Sequence, residues 1–381
     1  MSNILVISPV ATHPPTAGNQ TRIYELTRLL KRLGHVVDFM HIERDVSDVS
    51  LMRAEWKDRY LRVPYTKPRN VFANFKRKVA QKLGLGCAYR YGIDDWYDSA
   101  TDDHIQNFVS NNQVDVVIVE YVFMSRALLK LPAHIFKIID THDVMANRDE
   151  RFTANNIHPT WFSCSQRQET KALNRADVVI AIQNQEAKYF SSTTNTKVVT
   201  VGHPVKLYRA PADQIINGRI LLISSANSIN VESAHWLINA VLPLIQQKCP
   251  NAELAIGGTI CHRLTAAPGV RLLGRLDELP PIYASAQVVV NPMRFGTGLK
   301  IKSIEALGHA RPLITTTCGS EGLDPSRLDV LQIADEPELF AQAVIELLKE
   351  PKSAIEMGER GYRYAERFNA EIEESIKSII T

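Results

Sequence analysis

The sequence contains no C-x-x-C pair, and its five cysteines (Cys87, Cys164, Cys249, Cys261 and Cys318) are odd in number and widely scattered. That pattern argues against a disulfide framework or a zinc site and points to a reducing cytosol. No segment approaches the ~20 apolar residues of a membrane span. No basic leader precedes the short apolar run Ile4–Ser8. The expectation is a cytoplasmic protein whose membrane contact, where it occurs, is peripheral at the inner face. Short-period repeats and low-complexity segments are absent. So is a full G-x-G-x-x-G, which argues against a dinucleotide site in the first β-loop-α-β pattern. Nothing has metal-ligand spacing, so no metal is expected. A net charge of +3 is too small to imply a nucleic-acid partner.

The chain does offer 381 residues, 45% hydrophobic and 22% charged, the composition of a globular protein long enough for two domains. Apolar runs alternate with helical patterns. Ile4–Ser8, Val36–Ile42, Val114–Val119, Phe136–Asp140, Asp177–Ile182 and Lys197–Val201 read as strands of a parallel sheet. The polar, proline-containing stretch 202–218 breaks the alternation. It then restarts with Arg219–Ser224, Leu254–Gly258, Val288–Val290 and Val330–Ile333. Helices are expected over Asp94–Asn111, Trp161–Arg175, Val231–Lys248 and Leu276–Ala284, the last with Asp277 near its cap. The tail Ser353–Ile380 reads as two helical pieces broken near Phe368-Asn369. The expected plan is an N-terminal domain over 1–205, a second over 206–365, and a final helix, about 366–381, that packs back on the first.

Three stretches carry candidate chemistry. In Asn291–Leu323 a strand end runs through Gly296-Thr297-Gly298 into a helical pattern holding Lys300, Lys302 and Glu305, with Arg294 just before. Glycine loops at helix starts take phosphates, and basic side chains strengthen the binding. A carboxylate two turns into the helix can accept hydrogen bonds from the paired hydroxyls of a ribose. Thr141-His142-Asp143 closes a strand, where open α/β sheets place ligands, and Arg148 follows. Gly18 is either a turn residue or a position that lets a ligand approach the amides at the start of the first helix. The third stretch, 53–91, is basic: residues 51–100 hold eleven Lys/Arg against five Asp/Glu. Lys67, Arg69, Lys76, Arg77, Lys78 and Lys82 surround Phe72, Phe75, Val79 and Leu83. This is either a solvated face over a packed stripe or a surface for anionic membranes.

Lys302, Glu305-Ala306-Leu307, Arg311-Pro312-Leu313-Ile314 and Gly319-Ser320-Glu321-Gly322-Leu323 resemble the C-terminal signature of retaining family 4, or "group 1", nucleotide-sugar glycosyltransferases. Gly34-His35, Thr141-His142-Asp143, Asn230 with Trp236, and Leu254–Gly258 extend the resemblance over essentially the whole chain. It implies the α/β GT-B fold, two Rossmann-like parallel-sheet domains facing an interdomain cleft. It implies transfer of a hexosyl or deoxyhexosyl unit from a nucleotide diphosphate sugar to an acceptor hydroxyl, with retention. The acceptor would be a saccharide or a lipid-linked saccharide in surface polysaccharide or glycolipid assembly. No bound cofactor or metal is implied. His142, Lys300 and Arg294 would be catalytic. Gly18, Asn227, Gly258, Thr297, Gly298, Lys302 and Glu305 would bind the donor, with Glu305 on its ribose. Asp143 and Arg148 would lie on the acceptor side. Two departures stand out. Thr297 occupies the position of the family's first glutamate, and residues 225–240 lack the arginine and lysine that many members place there. A nucleotide-sugar 2-epimerase of the same fold and a non-catalytic nucleotide-sugar-binding protein remain alternatives.

Overall fold

The computed structural model describes residues 1–68, 71–82, 86–154, 158–159, 161–209, 212–296, 298–324 and 329–380, with backbone alone at 71–74, 76, 86 and 87. The chain divides into two compact units. Met1–Pro15, Asn19–Gly202 and Glu373–Thr381 form the first; Thr16–Gly18 and His203–Ile372 form the second.

The first unit contains β1 (Asn3–Ser8), α1 (Gly18–Arg32), β2 (Val36–Ile42), α2 (Val49–Trp56), β3 (Tyr60–Val63), α3 (Val71–Lys82), α4 (Thr101–Asn111), β4 (Val116–Glu120), β5 (Phe136–Asp140), α5 (Arg148–Ala154), α6 (Gln166–Leu173), β6 (Val178–Ala181), α7 (Asn184–Thr193) and β7 (Lys197–Thr200). Its sheet has the order β3-β2-β1-β4-β5-β6-β7, and every pairing is parallel. All five residues of β4 are buried, as a strand covered on both faces requires. Helix α1 buries Ile23, Leu26, Leu29 and Leu30 along one stripe. It ends where Gly34 adopts φ +87° and the His35 amide donates to the Leu30 carbonyl at 3.1 Å. Only glycine takes that conformation without strain.

The second unit repeats the plan with β8 (Arg219–Ile223), α8 (Ser228–Trp236), α9 (Leu242–Lys248), β9 (Glu253–Gly257), β10 (Val270–Gly274), α10 (Pro280–Ser285), β11 (Val288–Asn291), α11 (Ile301–Gly308), β12 (Leu313–Thr315), β13 (Leu331–Ile333), α12 (Pro337–Lys349) and, as far as Ile372, α13 (Pro351–Ile379). The strand order is β10-β9-β8-β11-β12-β13, again all parallel. Leu222, Leu254, Ile256, Val288 and Val290 pack under Leu237, Val241, Ile245, Phe340 and Val344. Both sheets therefore have the doubly wound order, which reverses direction at β1/β4 and at β8/β11.

Several expected boundaries move. The tail is one 29-residue helix, α13, rather than two pieces. Asn369 does not break it, because its side chain clamps the Val205 backbone, accepting from the amide at 3.0 Å and donating to the carbonyl at 2.8 Å. Pro280 and Pro281 set the start of α10, so Asp277 is not its cap. Helices α4 and α6 begin later than their polar flanks suggest. Between α8 and α9 a π-helical turn spans Leu237–Val241, where Pro243 offers no amide to the preceding turn. Strand β3 is hidden in the sequence by its charged surroundings, and only Val63 of its four residues is buried.

Candidate functional site

In open α/β sheets, ligands bind outside the strand carboxyl ends where the strand order reverses. In the second unit that point is the end of β8, beside β11. The loop after β8 is shaped by Asn227, whose Oδ1 accepts from the Asn230 amide at 2.8 Å and caps α8. Asn230, which is buried, donates from Nδ2 to the Ser225 carbonyl and Oγ at 3.1 and 3.0 Å. That leaves its Oδ1 for Lys302, whose ammonium donates to it at 2.9 Å and to Ser224 Oγ at 3.0 Å. Lys302 thus crosses the reversal point, from α11 to the end of β8. Both partners are neutral. Burial, then the nearby charge of Lys300, lowers the Lys302 pKa to about 8.

Lys300 is engaged differently. Its side chain is 3% exposed, and its ammonium donates to the Gly298 carbonyl and to Glu321 Oε2, each at 2.8 Å. Gly298 has φ +78°. Glu305 lies half-buried on α11, one turn beyond Lys302. Gly258 has φ +101°, and a Cβ there would fall 2.2 Å from the Ser224 carbonyl oxygen. Its lack of a side chain is explained by the close approach of the β9 end to the β8 end. Arg294 is 51% exposed, 3.9 Å from Glu232 and 5.7 Å from the Trp236 ring centre. Thr297 lies outside the described residues.

The corresponding region of the first unit joins β1, β4 and β5. Arg22 on α1 makes a bidentate pair with Asp140, Nε to Oδ2 at 3.0 Å and Nη2 to Oδ1 at 2.9 Å, both side chains fully buried. Its remaining donors reach the Val201 and Gly202 carbonyls at 3.1 and 2.9 Å. Beside this pair, His142 Nε2 meets Glu120 Oε2 at 2.6 Å. The imidazole stacks on Tyr121, ring centres 4.1 Å apart, and Asn19 Nδ2 donates to the Tyr121 hydroxyl at 3.0 Å. Tyr121 and His142 both have positive φ, +71° and +63°. Such backbone costs of order 1–3 kcal/mol per residue and gathers at functional sites.

Beyond His142, Asp143 lies 3.6 Å from Arg148 Nε. The Arg148 guanidinium covers the Phe152 ring at 4.1 Å and lies 5.6 Å from Trp161. Burial lowers its pKa. Glu169 fixes the loop between His142 and Arg148 by accepting from the Met145 and Ala146 amides at 2.6 and 3.1 Å. Burial pushes its pKa up to about 7. Ligand atoms of Glu120, Asp140 and His142 lie within 4.8 Å of one another. They do not fit a divalent cation, because Arg22 occupies both Asp140 oxygens and brings its own positive charge.

The expected residues therefore fall into two sets. Gly258, Gly298, Lys300, Lys302 and Glu305 gather in the second unit, with Asn227 supporting their loop and Arg294 on the surface. His142, Asp143 and Arg148 gather in the first. Gly18 is the first residue of α1. Sequence reasoning missed Glu120, Asn230 and Ser224 as site residues. The signal for Glu120 was present: it is a carboxylate closing an otherwise apolar strand.

Two doubly wound sheets in one chain form the GT-B fold. Residues 217–350 match the family model described as "Glycosyl transferases group 1". A Klebsiella pneumoniae protein described as "Uncharacterized 44.6 kDa protein in cps region" is 22% identical over 376 residues, covering 92% of each chain. A mutant of S. aureus TarM, in a structure with Fondaparinux, alpha-GlcNAc-glycerol and UDP, superposes with a TM-score of 0.69 at 11% identity over 100% of both chains. The pneumococcal O-GlcNAc transferase GtfA, in complex with UDP and GlcNAc, gives 0.66 at 12% identity over 99% of this chain and 98% of its own. The structures establish the fold, and the sequence match establishes the group 1 pattern in the second unit.

Proposed function

We propose that the protein is a retaining glycosyltransferase that moves a sugar from a nucleoside diphosphate donor to a hydroxyl of a saccharide or lipid-linked saccharide in surface polysaccharide assembly. The observation that carries this reading is Lys302, an ammonium at the ligand-binding end of the second unit whose hydrogen-bond partners are neutral. It reaches the end of β8 and so supplies, from α11, the cation that residues 225–240 lack. A leaving diphosphate is the ligand that such a site stabilises. Glu305 takes the ribose hydroxyls, and the Gly298 amide and Lys300 loop lie against the phosphates. In the first unit, His142 serves the reacting sugar, with Asp143 and Arg148 on the acceptor side.

Retention rests on the family resemblance. On the acceptor's same-face approach, the departing diphosphate takes its proton, so no protein nucleophile is invoked. TarM and GtfA were captured with UDP, which makes uridine diphosphate sugars the first donors to test. The relative from a cps region supports a polysaccharide acceptor. The experiment is a thermal-shift screen of nucleoside diphosphates and their sugars, followed by product analysis with the best donor. Nucleoside diphosphate should appear only when acceptor is present, with the anomeric configuration kept. An epimerised donor formed without acceptor would establish the 2-epimerase instead.

The basic stretch bears on where the reaction occurs. No helix among the described residues is long and apolar enough to cross a membrane. On α3, Phe75 is 64% exposed and Val79 39%, so these two positions are not a packed stripe. Lys78 and Lys82 flank them in solvent. Arg77 instead turns inward, bonding Asp95 at 2.9 Å and stacking over Tyr91 at 4.2 Å. Arg69 and Leu83, and the side chains of Phe72 and Lys76, lie outside the described residues. This face suits an anionic bilayer. With about 1 kcal/mol per basic residue near such a surface, reversing both charges in K78E/K82E should lower co-sedimentation with anionic vesicles at least about ten-fold. Zwitterionic vesicles should bind weakly throughout. Equal pelleting of parent and variant would remove α3 from membrane binding.

A further inference from the structure

We propose that Glu120 is a positioning residue that keeps a proton on Nδ1 of His142, so that this imidazole presents a hydrogen-bond donor, and not a base, to the substrate. The argument begins with the 2.6 Å contact between His142 Nε2 and Glu120 Oε2. Nε2 is committed to that contact, which leaves Nδ1 as the nitrogen for any ligand. The pair can exist in three states. An ionised Glu120 can face an imidazolium, or a neutral Glu120 can donate to Nε2 of a neutral imidazole. Both states are uncharged overall, and both place a hydrogen on Nδ1. In the third state an ionised Glu120 faces a neutral imidazole protonated at Nε2, and only there is Nδ1 an acceptor.

The surroundings select against the third state because it leaves one buried negative charge unbalanced. Glu120 is fully buried, and its Oε1 has no hydrogen-bond partner. Among the described residues no other cation is hydrogen-bonded to it, and the Arg22 charge nearby offsets less than burial and Asp140 impose. Arg22, from α1, gives two bonds to Asp140 and two to the Val201 and Gly202 carbonyls. Asp140, from β5, adds negative potential. Arg148, from α5, lies against Asp143. Tyr121 stacks on the ring and offers no counter-charge. Burial, then the Asp140 charge, raises the Glu120 pKa, in keeping with a pair that retains its proton. The Tyr121 stack and the Glu120 contact hold the ring plane.

Only the substrate facing Nδ1–H rests on the proposed function. The location of the proton does not, so it is tested first on unliganded protein. With histidine labelled by nitrogen-15 and the resonance assigned by its loss in H142Q, Nδ1 should show a pyrrole-type shift around neutral pH. A pyridine-type Nδ1 beside a pyrrole-type Nε2 would overturn the inference without touching the glycosyltransferase reading. Activity gives a second readout. In E120Q the carboxamide can still donate to Nε2 and preserve Nδ1–H, so transfer should slow only about five-fold, the worth of one weakened hydrogen bond. E120A leaves the ring unheld and should slow it about 100-fold. If folded E120Q is as slow as E120A, the carboxylate itself is required and His142 is acting as a base.

Discussion

Lys302→Met is expected to weaken nucleoside diphosphate binding by about 100-fold, the worth of one charge-assisted contact to phosphate in a partly buried site, without lowering the unfolding midpoint. The two halves of this expectation share one cause. A lysine pKa lowered from 10.5 to about 8 means that the fold disfavours the charged form, by about 3 kcal/mol at neutral pH. The sign follows from linkage. Unfolded chain binds the proton more tightly than folded protein, so stability falls as pH drops from 10.5 toward 8 and is level below that. Methionine removes the penalty, and the loss of the ammonium's hydrogen bonds to Ser224 and Asn230 costs about 1 kcal/mol each. An anion that docks against the ammonium reverses the preference and raises the pKa. Affinity should then be flat below about pH 8 and fall up to ten-fold per pH unit above it. Binding in that range should take up a proton, seen calorimetrically as a heat that depends on the buffer's ionisation enthalpy. Lys302→Arg should bind with no such dependence. If the methionine variant binds UDP with the parent Kd, Lys302 does not hold the diphosphate.

That residue also marks the limit of what the sequence displayed. The two sheets were legible because buried parallel strands appear as continuous apolar runs, and the glycine-basic-carboxylate pattern of Asn291–Leu323 is contiguous. The partners of its charges are not. Lys302 meets Asn230 across 72 residues, His142 meets Glu120 across 22, and Arg22 meets Asp140 across 118. Strand register creates the second of these, because Glu120 and Asp140 are Cα partners at the ends of β4 and β5. Register is a property of the assembled sheet, and periodicity within one strand does not reveal it. The same limit explains the misread tail. Asn369 has a weak helix propensity, but its two bonds to Val205 outweigh that preference. Arg294 is a further case: its place beside the glycine loop suggested catalysis, and the fold sets it half in solvent over Trp236.

The fully buried Arg22–Asp140 pair yields the largest expected change in stability. Asp140→Ala should destabilise the first unit by about 3–5 kcal/mol, because it takes from a buried guanidinium the carboxylate it is bonded to. The double variant R22M/D140A should be less destabilised than D140A alone. It removes the stranded charge, and what remains is a cavity and the Val201 and Gly202 carbonyls without one of their donors, which costs less than an uncompensated buried charge. Three of the four tryptophans, Trp56, Trp96 and Trp161, belong to the first unit, so urea unfolding followed by tryptophan fluorescence reports chiefly on it. Additive losses in the double variant would mean that the two side chains act independently, against the bidentate geometry. The pair also bears on the site. It is the compensated charge pair beside Glu120, so D140A removes the second contribution that raises the Glu120 pKa and leaves Arg22 seeking a carboxylate. Glu120 is the nearest candidate, and an Arg22–Glu120 pair would release His142 Nε2. In a folded D140A protein, the histidine Nδ1 resonance should therefore move toward the pyridine type. Methionine at position 22 should return it, because the competing guanidinium is gone.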